Sequence, residues 1–134
     1  MEAVTHTVAK VIVHTDIFID YLQHRGDSSH VLRRAMGKYF CYTTVFNAIE
    51  LFSLASTNQE REAIERSLSA MKILGLNAKH SKQYGERLAS GKQLPRMNGL
   101  IACMAVETKL PVLTGMPREF KGMKEVVILL PKDV

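Results

Sequence analysis

The chain has 134 residues, of which 46% are hydrophobic and 23% charged, and it carries a net charge of +5. That length suits one domain spanning 1–134, and that balance excludes disordered, collagen-like and disulfide-stapled classes. The longest apolar runs, such as 126–130, fall far short of the roughly 20 residues a membrane helix needs. Residues 1–13 lack a basic segment followed by a long apolar core, so no signal peptide is expected and the cytoplasm is the expected location.

Charge is uneven. Residues 1–67 hold seven basic and eight acidic side chains, whereas 68–134 hold eleven and five. A basic second half is compatible with a nucleic-acid partner and equally with a solvated surface. Cys41 and Cys103 lie far apart and read as buried free thiols. The five histidines (6, 14, 24, 30 and 80) show no zinc-ligand spacing, and neither common glycine-rich nucleotide loop is present.

In chain order, 10–13 is a β-branched run expected to form a buried strand. A helix is expected over 16–22, a turn at 26–29, and a short helix from 31 to Gly37. A second strand is expected at 38–42. Thr43 and Thr44 suit the cap of a helix over 45–55, apolar nearly all round and so expected to be mostly buried. Residues 58–71 show a narrow stripe of Ile64, Leu68 and Met71, the mark of a surface helix. A third strand is expected at 73–76. Asn77 suits the cap of a helix to Ser90 closed by Gly91. A further helix is expected to start at 95–98, with Ile101, Met104, Ala105 and Thr108 on one face. Strands at 111–114 and 126–130 complete the reading. Strands separated by helices imply a mostly parallel sheet covered on both faces, with ligands at the carboxyl ends of its strands.

Polar residues gather at those positions. Glu50 lies in the most apolar helix, where an unpaired carboxylate is expensive; a nearby Lys or Arg is its simplest partner. His14, Thr15 and Asp16 follow the first strand; their simplest roles are a core histidine and helix caps. Asn98 reads as another cap, and Thr114-Gly115 as a turn.

Four fragments carry a resemblance over nearly the whole chain. Val11-Ile-Val-His-Thr-Asp-Ile-Phe-Ile-Asp-Tyr-Leu22 resembles the pattern v-l-v-D-T-n-v-l-i-d-y-l. Thr43-Thr-Val-Phe-Asn-Ala-Ile-Glu-Leu51 resembles s-x-x-t-x-x-E-l. Asn98-Gly-Leu-Ile-Ala102 resembles D-a-l-I-A. Leu110-Pro-Val-Leu-Thr-Gly-Met-Pro-Arg-Glu-Phe120 resembles l-p-l-v-T-x-n-x-x-d-F. Together they are similar to the PIN domains of VapC-type toxins. The resemblance implies a three-layer α/β/α fold with a central, mostly parallel sheet of four to five strands. It also implies Mg²⁺- or Mn²⁺-dependent RNA cleavage, a small antitoxin partner and a homodimer. The metal polarises the phosphate and activates water, and clustered carboxylates hold it.

Carried over residue by residue, the pattern departs. The first family aspartate falls on His14, the variable position on Asp16, the glutamate on Glu50, the next aspartate on Asn98, and the residue after the fourth strand on Met116. Thr114 is kept. The expected site is thus Glu50, Asp16, His14, Asn98 and Thr114, with weak or absent metal binding through Glu50 and Asp16. The expected function is a PIN-like protein with lost or impaired nuclease activity that retains nucleic-acid or protein-partner binding. The alternative is an active Mn²⁺-dependent ribonuclease using Asp16, Glu50 and His14. A phosphoacceptor receiver domain is disfavoured, because 73–77 supplies no aspartate. Phe18, Tyr21 and Leu22 are candidate partner contacts, with core packing as the plainer role.

Overall fold

A computed structural model describes residues 9–24, 29–90 and 96–134. His6, most of the expected turn at 26–29, Gly91 and Pro95 lie outside the described residues. Five strands form one sheet: β1 (Lys10–Val13), β2 (Phe40–Thr44), β3 (Lys72–Leu74), β4 (Val112–Leu113) and β5 (Ile128–Leu129). Their order is β3-β2-β1-β4-β5, and every pairing is parallel. Six helices cover it: α1 (Thr15–Gln23), α2 (Val31–Lys38), α3 (Val45–Leu54), α4 (Asn58–Ser69), α5 (Ser81–Ser90) and α6 (Arg96–Thr108). The α/β/α architecture expected from the sequence is the one observed.

Two apolar layers explain the arrangement. Side chains alternate along a strand, so Val11 and Val13 of β1 join one core cluster while Ile12 joins the other. The first cluster takes Ile17 and Phe18 of α1, Leu32 of α2 and Ile64 and Leu68 of α4. The second takes Tyr84 of α5 and Ile101, Ala102 and Ala105 of α6. A strand covered on both faces must be apolar throughout, and Val11, Ile12 and Val13 are fully buried.

Several elements sit differently from expectation. Lys38 ends α2, and β2 runs later, through Thr43 and Thr44. β3 starts at Lys72 and stops before Gly75. Asn77 accepts a hydrogen bond from the Lys79 amide and caps a short 3₁₀ turn ahead of α5. Helix α3 is not mostly buried. Ala48 and Leu51 face the first core and Phe46 the second, but Ile49, Phe52 and Leu54 are exposed. Its apolar residues outnumber the positions the sheet can cover, and the remainder face outward. Phe18 is fully buried, so its role is packing; Tyr21 and Leu22 pack half-buried on the same core.

The strand order creates a switch point. The chain winds from β1 outward to β3, then returns to place β4 on the other side of β1. Connections leaving β1 and β4 diverge here, the place where sheets of this kind form a crevice beyond the carboxyl ends of their strands. No helix among the described residues is long and apolar enough to cross a membrane.

Leu51 and Leu54 test the reassigned face of α3. Leu51→Ala removes a side chain only 2% exposed and is expected to cost about 2–5 kcal/mol. Leu54→Ala, at a position 59% exposed, is expected to cost less than about 0.5 kcal/mol by denaturant unfolding. The thiols give a second check. Burial pushes the Cys41 thiol up from its ordinary 9.0 to about 11 and also raises Cys103. Thiolate is the reactive form, so both cysteines should resist alkylation at pH 8 until the chain is unfolded. The folded thiols hold their protons to higher pH than unfolded ones. The Cys41 contribution to stability is therefore complete below 9.0 and is lost as pH rises through about 11.

Candidate functional site

The crevice is built from four chain segments. His14, Thr15 and Asp16 follow β1; Asn47 and Glu50 lie on α3; Asn98 lies in the first turn of α6; Thr114 to Glu119 follow β4. Helices that follow parallel strands begin at the sheet's carboxyl edge, which is why short polar side chains from distant parts of the sequence converge here.

Asn47 organises the interior of the site. Its Oδ1 accepts hydrogen bonds from the Thr44 amide at 3.2 Å and the Thr44 hydroxyl at 2.7 Å. The Asn47 amide in turn donates to Thr44 Oγ1, closing a capping box at the start of α3. Because Oδ1 receives a main-chain N–H, the other amide atom must be the NH₂ group. Nδ2 donates to Thr15 Oγ1 at 2.9 Å and to His14 Nδ1 at 3.1 Å. All four hydrogen-bonding positions of this buried amide are therefore used.

The tautomer of His14 follows. Nδ1 accepts from Asn47, so the ring proton of neutral His14 sits on Nε2. That nitrogen lies 3.5 Å from Glu119 Oε2. The ring is buried, with Phe120 packed edge-on at 5.0 Å. The same Glu119 oxygen accepts a hydrogen bond from Asn98 Nδ2 at 3.0 Å. Asn98 thus sits inside α6 and reaches across the crevice; it is not the helix cap its position suggested. Thr43 at the end of β2 donates to the Val13 carbonyl at 2.8 Å, tying the two strand ends together.

A second set of bonds surrounds Asp16. Thr114 Oγ1 donates to Oδ1 at 3.0 Å, and the Gly115 amide donates to Oδ2 at 2.7 Å. Thr114 Oγ1 also accepts from the Met116 amide at 3.0 Å. Asp16 is therefore no helix cap; α1 begins after His14, which makes no side-chain cap bond. Gly115 suits the close approach: a Cβ there would stand 3.3 Å from Asp16 Oδ2, so the carboxylate would have to give by a few tenths of an ångström, and 3.7 Å from Pro131 Cγ. Met116 offers its amide while its side chain is exposed. Glu50 is half-buried one turn beyond Asn47, and its side chain has no hydrogen-bond or ionic partner among the described residues.

His14 and Asn98 therefore meet on Glu119, while Asp16 and Thr114 meet each other; among the described residues no hydrogen bond or ion pair joins the Glu50 side chain to either group. Glu119 is the residue that the residue-by-residue reading missed. The quoted fragment Arg118-Glu-Phe120 already matched the acid-aromatic pair x-d-F and was the available signal. Asn47 was also missed. Its clue was its place three residues after Thr44, the spacing of a capping box.

A divalent ion in this crevice would need several free oxygens. Asp16 and Glu119 instead answer protein donors, and the one lone pair of neutral His14 is taken by Asn47. The only three-residue group of metal-ligating side chains brought together among the described residues is elsewhere, at Asp20, His24 and His30. Asp16 and Glu119 therefore offer a Mg²⁺ ion less than free carboxylates would, while the Glu50 carboxylate has no partner among the described residues.

No protein-family model matches the sequence, and no curated protein matches it. Solved structures do share the fold. A chain of VapBC2 from Rickettsia felis, bound to a promoter DNA fragment, superposes with a TM-score of 0.76 at 19% identity, over 90% of this chain and 98% of that one. A chain of DNA-bound VapBC from Salmonella typhimurium gives 0.74 at 18% identity, over 92% and 98%. A chain of VapBC-5 from Mycobacterium tuberculosis, a member of the VapBC family of toxin-antitoxin systems, gives 0.62 at 21% identity, over 91% and 98%. The present chain thus has the PIN-like fold of these toxin–antitoxin proteins.

The Asn47 network can be tested without altering side-chain volume. Asn47→Asp keeps the acceptor for Thr44 and removes both donors, so the Thr15 hydroxyl must turn to donate and His14 must carry its proton on Nδ1, which leaves the Nε2 lone pair facing Glu119. A loss of about 1–3 kcal/mol in unfolding free energy is expected. Asp16→Asn should cost less, because the amide oxygen can keep the Gly115 N–H while the Thr114 hydroxyl turns to accept from the new NH₂ group.

Proposed function

We propose that this chain is a PIN-fold protein of the toxin–antitoxin type whose RNA cleavage is lost or impaired. It retains binding to a small antitoxin-like protein or to nucleic acid and pairs with a second copy of itself. Its fold likeness to VapBC chains, two of them in complexes with DNA, supports the partner class. The observation that carries the loss of activity is the state of the crevice carboxylates. Glu119 takes the Asn98 amide and faces the His14 N–H, and both oxygens of Asp16 are occupied.

The physics favours this reading. Mg²⁺ sheds water reluctantly and depends on carboxylate charge. Where the resemblance expects aspartates, this chain has His14 and Asn98. Asn98 donates a hydrogen bond to Glu119 and His14 Nε2 stands 3.5 Å from the same oxygen, so neutral side chains surround this carboxylate where the pattern would place further acids. Residual RNA binding would run through phosphate contacts from the basic second half and weaken with salt.

The other reading, a Mn²⁺-dependent ribonuclease using Asp16, Glu50 and His14, draws support from one observation: Glu50 has no partner among the described residues. It also requires His14 to give up its bond from Asn47. Assaying the purified protein on structured RNA with Mg²⁺ and with Mn²⁺ separates the two. No metal-dependent cleavage is expected; cleavage abolished by Glu50→Gln would establish the ribonuclease. Combining His14→Asp with Asn98→Asp should raise Mn²⁺ affinity tenfold or more, to judge from the roughly 10–100-fold effects of substitutions around metal sites. The same pair should lower the metal-free melting temperature by a few degrees, since about 1 kcal/mol of added repulsion corresponds to about 3–6 °C at this size.

A further inference from the structure

A separate group of ligand-type side chains lies where α1 ends and α2 begins. Asp20 stands one turn before His24, the residue that closes α1, and His30 is the residue preceding α2. One ligand atom from each lies within 4.8 Å of the others. The His30 ring is nearly buried, whereas Asp20 and His24 are more than half exposed.

The hydrogen bonds define the protonation of this group. The Leu32 amide donates to His30 Nδ1 at 3.1 Å, so the proton of neutral His30 sits on Nε2 and is donated to Asp20 Oδ2 at 2.5 Å. His24 Nδ1 donates to the Asp20 main-chain carbonyl at 2.7 Å and stands 3.5 Å from Asp20 Oδ1. His24 Nε2 is left as a lone pair with no protein partner among the described residues. The two imidazoles are tilted by 35° with centroids 5.9 Å apart.

We propose that Asp20, His24 and His30 form a binding site for Zn²⁺ or a similar borderline transition-metal ion. Two imidazoles and one carboxylate are a characteristic zinc ligand set, and three protein ligands leave a fourth position for water. The bond from His24 Nδ1–H to a main-chain carbonyl is the outer contact that commonly orients a ligating imidazole. At His30 the ion takes the place of the proton now shared with Asp20. These two atoms must move apart to about 3.3 Å, the spacing of neighbouring ligands in a tetrahedral zinc shell. The single proton of the neutral ring moves from Nε2 to Nδ1, so the Leu32 amide loses its acceptor. Occupancy thereby fastens the end of α1 to the start of α2 at the expense of one bond in α2's first turn. The site shares no residue with the crevice, so it stands apart from the reading of function given above.

Zinc titration of the purified full chain by calorimetry tests the proposal. One ion per chain is expected, with His24→Ala and Asp20→Asn each weakening it about tenfold or more. His24 is exposed, so its removal leaves the core intact, and Glu50→Gln in the crevice should leave zinc binding unchanged. In the native chain zinc should shift the Leu32 amide resonance and speed its hydrogen exchange, and His24→Ala should abolish both effects. Absence of heat at millimolar zinc, binding that survives His24→Ala, or binding lost in Glu50→Gln would overturn the site.

Discussion

The geometry of the crevice depends on one buried amide. Asn47 is fully buried, so any of its polar atoms left without a partner would cost about 1–3 kcal/mol. Thr44, at the junction of β2 and α3, takes the oxygen side and dictates which way the amide faces. From that choice follow the acceptor role of His14 Nδ1, the direction of its Nε2 proton, and the donor presented toward Glu119. A helix cap, a local feature of residues 44–47, thereby sets the chemistry of a ring more than 30 positions away in sequence.

This linkage changes the character of the cleft. A cluster of carboxylates is held apart by repulsion and drawn together by a cation. Here neutral donors do the joining. Asn98 connects α6 to the segment after β4 through Glu119, and Thr114 with Gly115 connects that segment to α1 through Asp16. The converging elements are cross-linked by hydrogen bonds within the chain, and each anchored carboxylate has less capacity left for an ion. Glu50 stands outside both sets of bonds.

The fold was largely legible because its signals are local. The β-branched run of β1, the threonines before α3, the striped α4 and the spacing of strands and helices all follow from periodicity and capping. The exposed side of α3 was not legible, since apolar content does not reveal how much surface the sheet can cover; Ile49, Phe52 and Leu54 exceed it. At the site, His14, Asp16, Asn98 and Thr114 were all singled out, but their partners were not. Thr114 and Asp16 are 98 positions apart, and Asn98 and Glu119 are 21 apart. Such contacts arise from strand order, which a single sequence does not encode in any short window. In the Asp20–His24–His30 group, Asp20 and His24 are one helical turn apart, but His30 joins them from the start of the next helix, which no short window of sequence shows.

The central position of β1 has a consequence for biosynthesis. Its neighbour on one side, β2, emerges from the ribosome soon after it, but β4 arrives only after some 100 residues more, with Ile12 pairing to Val112. Until then the most apolar strand of the sheet presents an unsatisfied flank, the kind of template on which nascent chains adhere to one another. A chain halted before Val112 is left with that flank permanently open, so translational arrest at any point before β4 is made yields a sticky fragment with no route to the finished sheet.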